Sequence, residues 1–211
     1  MTQVLFICKG RSVYNDQEGY STTLSSGLYN SARLVSDMLN QNGISSAIEN
    51  AIDNNCIDKF LTLHRPKYCI IEAIWVVPNK FEILTKLHPN VLFIVRNHSN
   101  LPFLATEGIA VDWLCQYVTY TNVYIACNTK ECQEEFKNIV DGKFGSEKVG
   151  KVLYFPNYYV EPPKASKPLN EYNGFNIGCF RCDKTFKESV VTRCRRHRIF
   201  IIFKKISLFS C

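Results

Sequence analysis

The sequence predicts a doubly wound α/β domain over residues 1–157, built on a Rossmann-like parallel sheet. Short apolar runs rich in Val and Ile recur along this stretch, as expected for parallel strands covered on both faces. Amphipathic segments at helical spacing lie between them, the alternation that marks β-α-β units. A hydrophobic content of 46% and a charged content of 21% are those of a globular chain and exclude large-scale disorder.

The strand candidates are Gln3–Cys8, Ser46–Ala51, Tyr68–Ala73, Val91–Val95, Asn122–Ala126 and Lys151–Phe155. The first is followed by Lys9 and Arg11 and is expected to lead into a polar loop. Its apolar run, Val4 to Cys8, is too short and wrongly flanked for a secretory signal. The first helix follows Ser25-Ser26-Gly27, with Leu28, Ala32, Leu34, Val35, Met38 and Leu39 at helical spacing. Ser25 or Ser26 suits its N-cap, and Gly43 its C-terminal stop. Further helices are expected over Asp53–Leu63, over Asn79–Leu87 after Pro78, and over Lys130–Val140 with Asn128 or Thr129 as cap.

Residues 158–174 continue a stretch from Pro156 that holds four of the eight prolines, a linker composition. A further strand is expected over 175–180. The basic tail, 181–211, lacks clear periodicity. It holds nine Lys and Arg against two acids, a balance of +7, so residues 1–180 carry −1 of the net +6. The near-neutral domain has no electrostatic footprint for nucleic acid. No run reaches the ~20 apolar residues of a membrane helix, and a cytoplasmic location is expected. The scattered cysteines of the domain then read as reduced thiols.

In order along the chain, three groups of residues resemble the acceptor-side domain of GT-B glycosyltransferases, particularly the retaining, glycogen-synthase-like group. The first is Val4–Cys8, a polar loop, and Ser25-Ser26-Gly27-Leu28 opening a long helix. The second is Val91–Val95 followed by Arg96-Asn97-His98-Ser99. The third is Val123–Cys127 with Asn128-Thr129, then Val152–Phe155 with Pro156-Asn157. The resemblance covers about residues 1–180 and implies transfer of a sugar from a nucleotide-sugar, held mostly by a second domain, to an acceptor. It implies no tightly bound cofactor, and no metal need is visible.

Parallel α/β sheets bind ligands beyond the carboxyl ends of their strands. Ser26, Gly27, Asn30, Arg96, Asn97, His98 and Asn128 lie at such ends and are the expected acceptor-binding residues; no catalytic residue is assigned. Three of them have a structural alternative: Gly27 allows close helix–sheet approach, Arg96 suits a surface ion pair, and His98 a solvated turn. Pro156-Asn157 reads mainly as a turn, and Tyr14 and Tyr20 as loop tyrosines that can stack on a sugar ring.

The donor-side pattern that the resemblance calls for does not follow residue 180. Under one permitted choice of codons, residues 181–192 shifted by one base read Gly-Ala-Ile-Arg-Pro-Leu-Lys-Asn-Gln, which is similar to the opening of the family's donor domain. A one-base shift near codon 181 is therefore expected, and with it a chain that binds acceptor without turning over.

Two rival readings concern the tail. Cys179, Cys182, Cys194 and His197 have the spacing of a four-ligand zinc site, beside Arg193, Arg195, Arg196 and Arg198, which suit phosphate contacts. Ile199–Phe203 with Lys204 and Lys205 suits weak peripheral membrane contact. A stand-alone α/β binding domain of flavodoxin-like architecture is the remaining alternative.

Overall fold

The computed structural model describes residues 2–15, 19–24 and 26–159. The elements run β1 (Val4–Asn15), β2 (Gly19–Leu24), α1 (Ser26–Gln41), β3 (Ser46–Ala51), α2 (Cys56–His64), β4 (Tyr68–Glu72), α3 (Pro78–Leu87) and β5 (Leu92–Asn97). Then come α4 (Leu101–Thr106), α5 (Ala110–Tyr117), β6 (Val123–Cys127), α6 (Lys130–Phe144), a 3-10 turn (Ser146–Lys151) and β7 (Val152–Tyr154). The candidate strand 175–180, the zinc spacing and the basic tail lie outside the described residues.

The doubly wound α/β class is as expected. Six strands form a parallel sheet in the order β3-β1-β4-β5-β6-β7. The chain steps from β1 to one side, into β3, then crosses to β4 and continues outward. The order reverses between β1 and β4, and such a switch point leaves a crevice outside the carboxyl ends of the strands.

Strand alternation sends successive side chains to opposite faces. Leu5 and Ile7, Cys69 and Ile71, Phe93 and Val95, and Ile125 join α2, α3, α5 and α6 in the larger core. Val4, Phe6, Cys8 and Ile70 take the other phase and pack with Ala32 and Val35 of α1. Both phases of β1 are thus buried, which explains why Val4–Cys8 reads as an unbroken apolar run.

Several elements depart from expectation. The polar loop after Cys8 is a hairpin: β1 continues to Asn15, and Gly10–Asn15 pairs antiparallel with Gly19–Leu24 in a register that sets Tyr14 opposite Tyr20. Polar residues there obscure a strand signal that rests on apolar alternation. Arg96 and Asn97 extend β5 rather than forming a turn. Tyr68–Ala73 ends one residue early, because Ala73 takes a left-handed conformation (φ 68°). Between β5 and β6 lie two short helices that the sequence did not signal, separated by Gly108 at φ 67°.

Helix ends follow local chemistry. Asp53 Oδ1 accepts from the amides of Asn55 and Cys56 at 2.7 and 3.1 Å, so α2 starts at Cys56 rather than at Asp53. Gly43 (φ 78°) closes the turn after α1. Thr129 caps α6, its Oγ1 accepting from the Cys132 amide at 3.1 Å. Thr129→Ala is expected to lower stability by about 1 kcal/mol, read as a lower urea midpoint, with Thr129→Ser close to wild type.

Candidate functional site

Three strand ends converge on the α1 side of the sheet. Cys8 of β1, Glu72 of β4 and Arg96 of β5 share the strand phase that faces α1, and Glu72 lies directly across from Arg96 in the β4–β5 register. Glu72 and Arg96 are both fully buried. Arg96 Nη1 donates to Glu72 Oε1 at 3.1 Å. A buried carboxylate and guanidinium are tolerated only as such a pair.

The second carboxylate oxygen, Oε2, meets His98 Nε2 at 2.5 Å. Glu72 therefore serves two cationic or donor groups at once, with a side chain wholly withdrawn from water. The neighbouring Cys8 thiol is pushed up to about 12, by burial first and by the Glu72 charge second, against the opposing influence of Arg96. Cys8 is thus a neutral thiol beside the pair. Cys8, Cys56, Cys69, Cys115, Cys127 and Cys132 form no disulfide among the described residues.

Arg96 also fixes the chain where it leaves the sheet. Its Nη2 donates to Pro156 O at 3.2 Å and to Asn157 Oδ1 at 3.0 Å, and its guanidinium lies over the Phe155 ring, 4.4 Å from the centroid. Ser31 Oγ of α1 donates to the same Asn157 oxygen at 3.3 Å. Helix α1, the β5 end and the segment after β7 are tied through this one side chain.

The end of β4 is held in a strained form. Ala73 adopts its left-handed φ while its amide donates to Arg96 O at 3.0 Å, and Trp75 Nε1 donates to Glu72 O at 3.0 Å. A non-glycine residue in this region costs on the order of 1–2 kcal/mol, and such strain clusters at functional sites.

Beside this network opens a cleft of about 400 Å3 at the first turns of α1. Gly27, Asn30, Ser31 and His98 line it, with Leu28 and Leu34 as its apolar part and Asn157 and Tyr159 from the exit segment. Among the described residues its lining contains no Asp, Glu, Lys or Arg side chain. A second cavity of about 360 Å3, between Leu61, Arg65, Pro66 and His88, lies at the amino ends of the strands. The carboxyl-edge cleft is the stronger candidate, because parallel sheets place their ligands there and because its His98 and Asn157 bond directly to the buried Glu72–Arg96 pair.

Of the seven residues singled out by sequence, Gly27, Asn30 and His98 meet in the cleft. Ser26 opens α1. Arg96 lies beneath the cleft as a buried hub, not as a surface cation. Asn97, one residue further along the strand, points to the opposite face. There its Nδ2 donates to Ser99 O at 2.7 Å and meets Cys132 Sγ at 3.5 Å. Asn128 Nδ2 donates to the His98 carbonyl at 3.3 Å, steadying the histidine backbone without lining the cleft.

Among the described residues the space around Gly27 is open: a Cβ there would meet none of their atoms within 4 Å. Close helix–sheet approach therefore does not require this glycine. Sequence reasoning missed Glu72, Ser31 and Tyr159, and took Asn157 for a turn residue. Glu72 did leave a signal, as the one carboxylate closing the apolar strand Tyr-Cys-Ile-Ile-Glu. Ser31 stands four residues after Gly27, on the same helical face.

Among the described residues no group of three or more His, Cys, Asp and Glu side chains is placed to hold a metal ion. No described helix is long and apolar enough to cross a membrane. No protein-family model matches the chain, and no curated protein matches it.

Proposed function

We propose that residues 1–157 are the acceptor-side domain of a glycosyltransferase of the GT-B type, and that the carboxyl-edge cleft binds the acceptor of a sugar transferred from a nucleotide-sugar. The observation that carries this reading is the meeting of Gly27, from one sequence motif, and Asn30, from the helix that motif opens, with His98 from a second and Asn157 from a third, in one cleft. Neutral amides and hydroxyls with two leucines suit a polyhydroxylated ligand that has one apolar face. As read in this frame, residues 181–211 do not carry the donor-side pattern.

A panel of methyl glycosides, titrated into the 211-residue chain and followed by amide chemical shifts, tests the reading. Shifts are expected at Gly27, Asn30 and Ser31. Asn30→Ala is expected to weaken binding about tenfold, the loss of roughly one well-made hydrogen bond. Gly27→Ala is expected to keep the fold, because its new methyl group meets no atom of the described residues within 4 Å. A panel that moves none of these amides would overturn the reading. Resequencing the coding DNA across codon 181 tests the frame: an open shifted frame that reads as a second α/β domain supports it.

The strand order favours a second reading, a stand-alone binding domain. With the hairpin strand β2 set aside, the six parallel strands follow the order 2-1-3-4-5-6, which is the 2-1-3-4-5 order of flavodoxin-like domains with one strand added at the edge, not the 3-2-1-4-5-6 order of dinucleotide-binding ones. Under this reading the same cleft is the binding site, and a shifted frame that closes quickly is the expected result.

A further inference from the structure

Six cysteines lie among the described residues, and five of them are buried. Burial alone makes a thiol inert, because it disfavours the thiolate. Cys8, Cys69 and Cys115 follow that rule: each thiol is pushed up, first by burial. Cys127 and Cys132 differ, because their side chains share a hydrogen bond. Cys127 ends β6 and Cys132 stands in the first turn of α6, so the turn Asn128-Thr129 folds the two together.

We propose that Cys127 and Cys132 are a redox-active dithiol, which hydrogen peroxide converts to an intramolecular disulfide. The sulfur that reacts first is Cys132. It is the third residue after the Thr129 cap, where the positive end of the helix dipole favours an anion. Asn97 Nδ2 reaches its Sγ as a donor at 3.5 Å, and Cys127 supplies a second donor. The proton that Cys132 gives up is the one it donates to Ser99 O at 3.6 Å, and that carbonyl keeps Asn97 Nδ2 as a donor at 2.7 Å. Deprotonation thus leaves the carbonyl paired. Cys132 is held below the ordinary thiol range, first by the Cys127 hydrogen bond, with burial and the Glu135 carboxylate opposing. The Cys127 thiol is pushed up by the same bond and keeps its proton.

The reaction balances with the peroxide as oxidant. The Cys132 thiolate attacks one peroxide oxygen: an S–O bond forms, the O–O bond breaks, and the leaving hydroxide takes a proton to become water. Cys127 then attacks the Cys132 sulfur, its proton passing to the sulfenic oxygen. The S–S bond forms, the S–O bond breaks, and a second water leaves. Two thiols lose two electrons and two protons, and one peroxide becomes two waters. Cys132 is 2% exposed, and a small uncharged oxidant reaches it by local opening of the first helical turn. Asn97 and Ser99, which hold Cys132, flank His98, so the disulfide alters the support of the turn that brings His98 to the cleft. The dithiol itself does not depend on the acceptor reading of that cleft.

The test treats the full, reduced chain with hydrogen peroxide near neutral pH, blocks the remaining thiols with N-ethylmaleimide in denaturant, and reads a non-reduced digest by mass spectrometry. Cleavage after Lys and Arg separates the pair, because Lys130 lies between them: Cys127 falls on 97–130 and Cys132 on 131–137. The two peptides are expected joined and two hydrogens lighter than their sum. Fragmentation distinguishes Cys127 from Cys115, which shares its peptide. Loss of the Cys132 thiol is expected several-fold sooner than loss at Cys8, Cys69 or Cys115. Cys127→Ser should leave Cys132 as a sulfenic acid that dimedone traps; if that variant fails to fold, the wild-type digest still decides. A digest without the linked peptides, Cys132 joined to any other cysteine, or a Cys132 that reacts no faster than Cys8 overturns the proposal.

Discussion

Replacing Arg96 with methionine is expected to destabilise the domain by about 3–5 kcal/mol, the usual cost of removing one partner of a buried ion pair. For a domain whose total stability is on the order of 5–15 kcal/mol, that is about a fifth or more of the whole. The loss has two physical parts. Glu72, fully buried, is left with only the His98 ring to offset its charge. The exit segment also loses its two hydrogen bonds at Pro156 and Asn157 and its cation–π contact at Phe155. Urea unfolding of the variant checks the first part. The double variant Arg96→Met with Glu72→Gln should be less destabilised than Arg96→Met alone, because no unpaired charge stays buried. Additive losses in this cycle would mean that the pair is not energetically coupled. Arg96→Lys is not a conservative change here: an ammonium keeps the charge but lacks the planar fork that reaches Glu72 and Asn157 together.

Phe81→Ala in α3 is the second large effect, expected at about 3–5 kcal/mol. Its ring is fully buried and meets Phe93 of β5 edge-on (centroids 5.7 Å apart, 76°) and Tyr117 of α5 likewise (5.0 Å, 73°). Tyr117 is itself fixed, its hydroxyl donating to Val76 O at 2.5 Å. A truncation at Phe81 thus opens a cavity among neighbours that are held in place and cannot collapse into it, which puts the cost toward the upper end of the range. The comparison is Leu63→Ala in α2, where the side chain is 69% exposed. That change is expected to fall within about 0.5 kcal/mol of wild type. Unfolding midpoints of the two variants decide the matter: similar losses would mean that the aromatic cluster is not the stabilising centre of the larger core.

The fold class was legible because it depends on local pattern. Apolar runs such as Tyr68–Ile71 and Val123–Cys127, separated by periodic helices and punctuated by Pro78 and Gly43, specify α/β order without knowledge of contacts. Polar or Gly-interrupted elements escaped for the same reason. The hairpin after Cys8 and the two short helices between β5 and β6 are recognised by pairing and packing rather than by periodicity.

The site was half legible. Residues at strand ends can be found from the sequence, but which face each one serves depends on the strand's length and phase. Extending β5 by two residues sends Arg96 and His98 to the α1 side and Asn97 to α6, a division that a turn would not impose. Glu72 and Arg96 stand 24 residues apart in the chain, and Asn157 a further 61 beyond Arg96. Sequence by itself determined the parallel α/β class and the carboxyl-edge location of Gly27, Asn30 and His98. Only the tertiary structure decided that Arg96 is a buried hub and that Glu72 backs His98, because burial and long-range partners follow from how strands and helices pack.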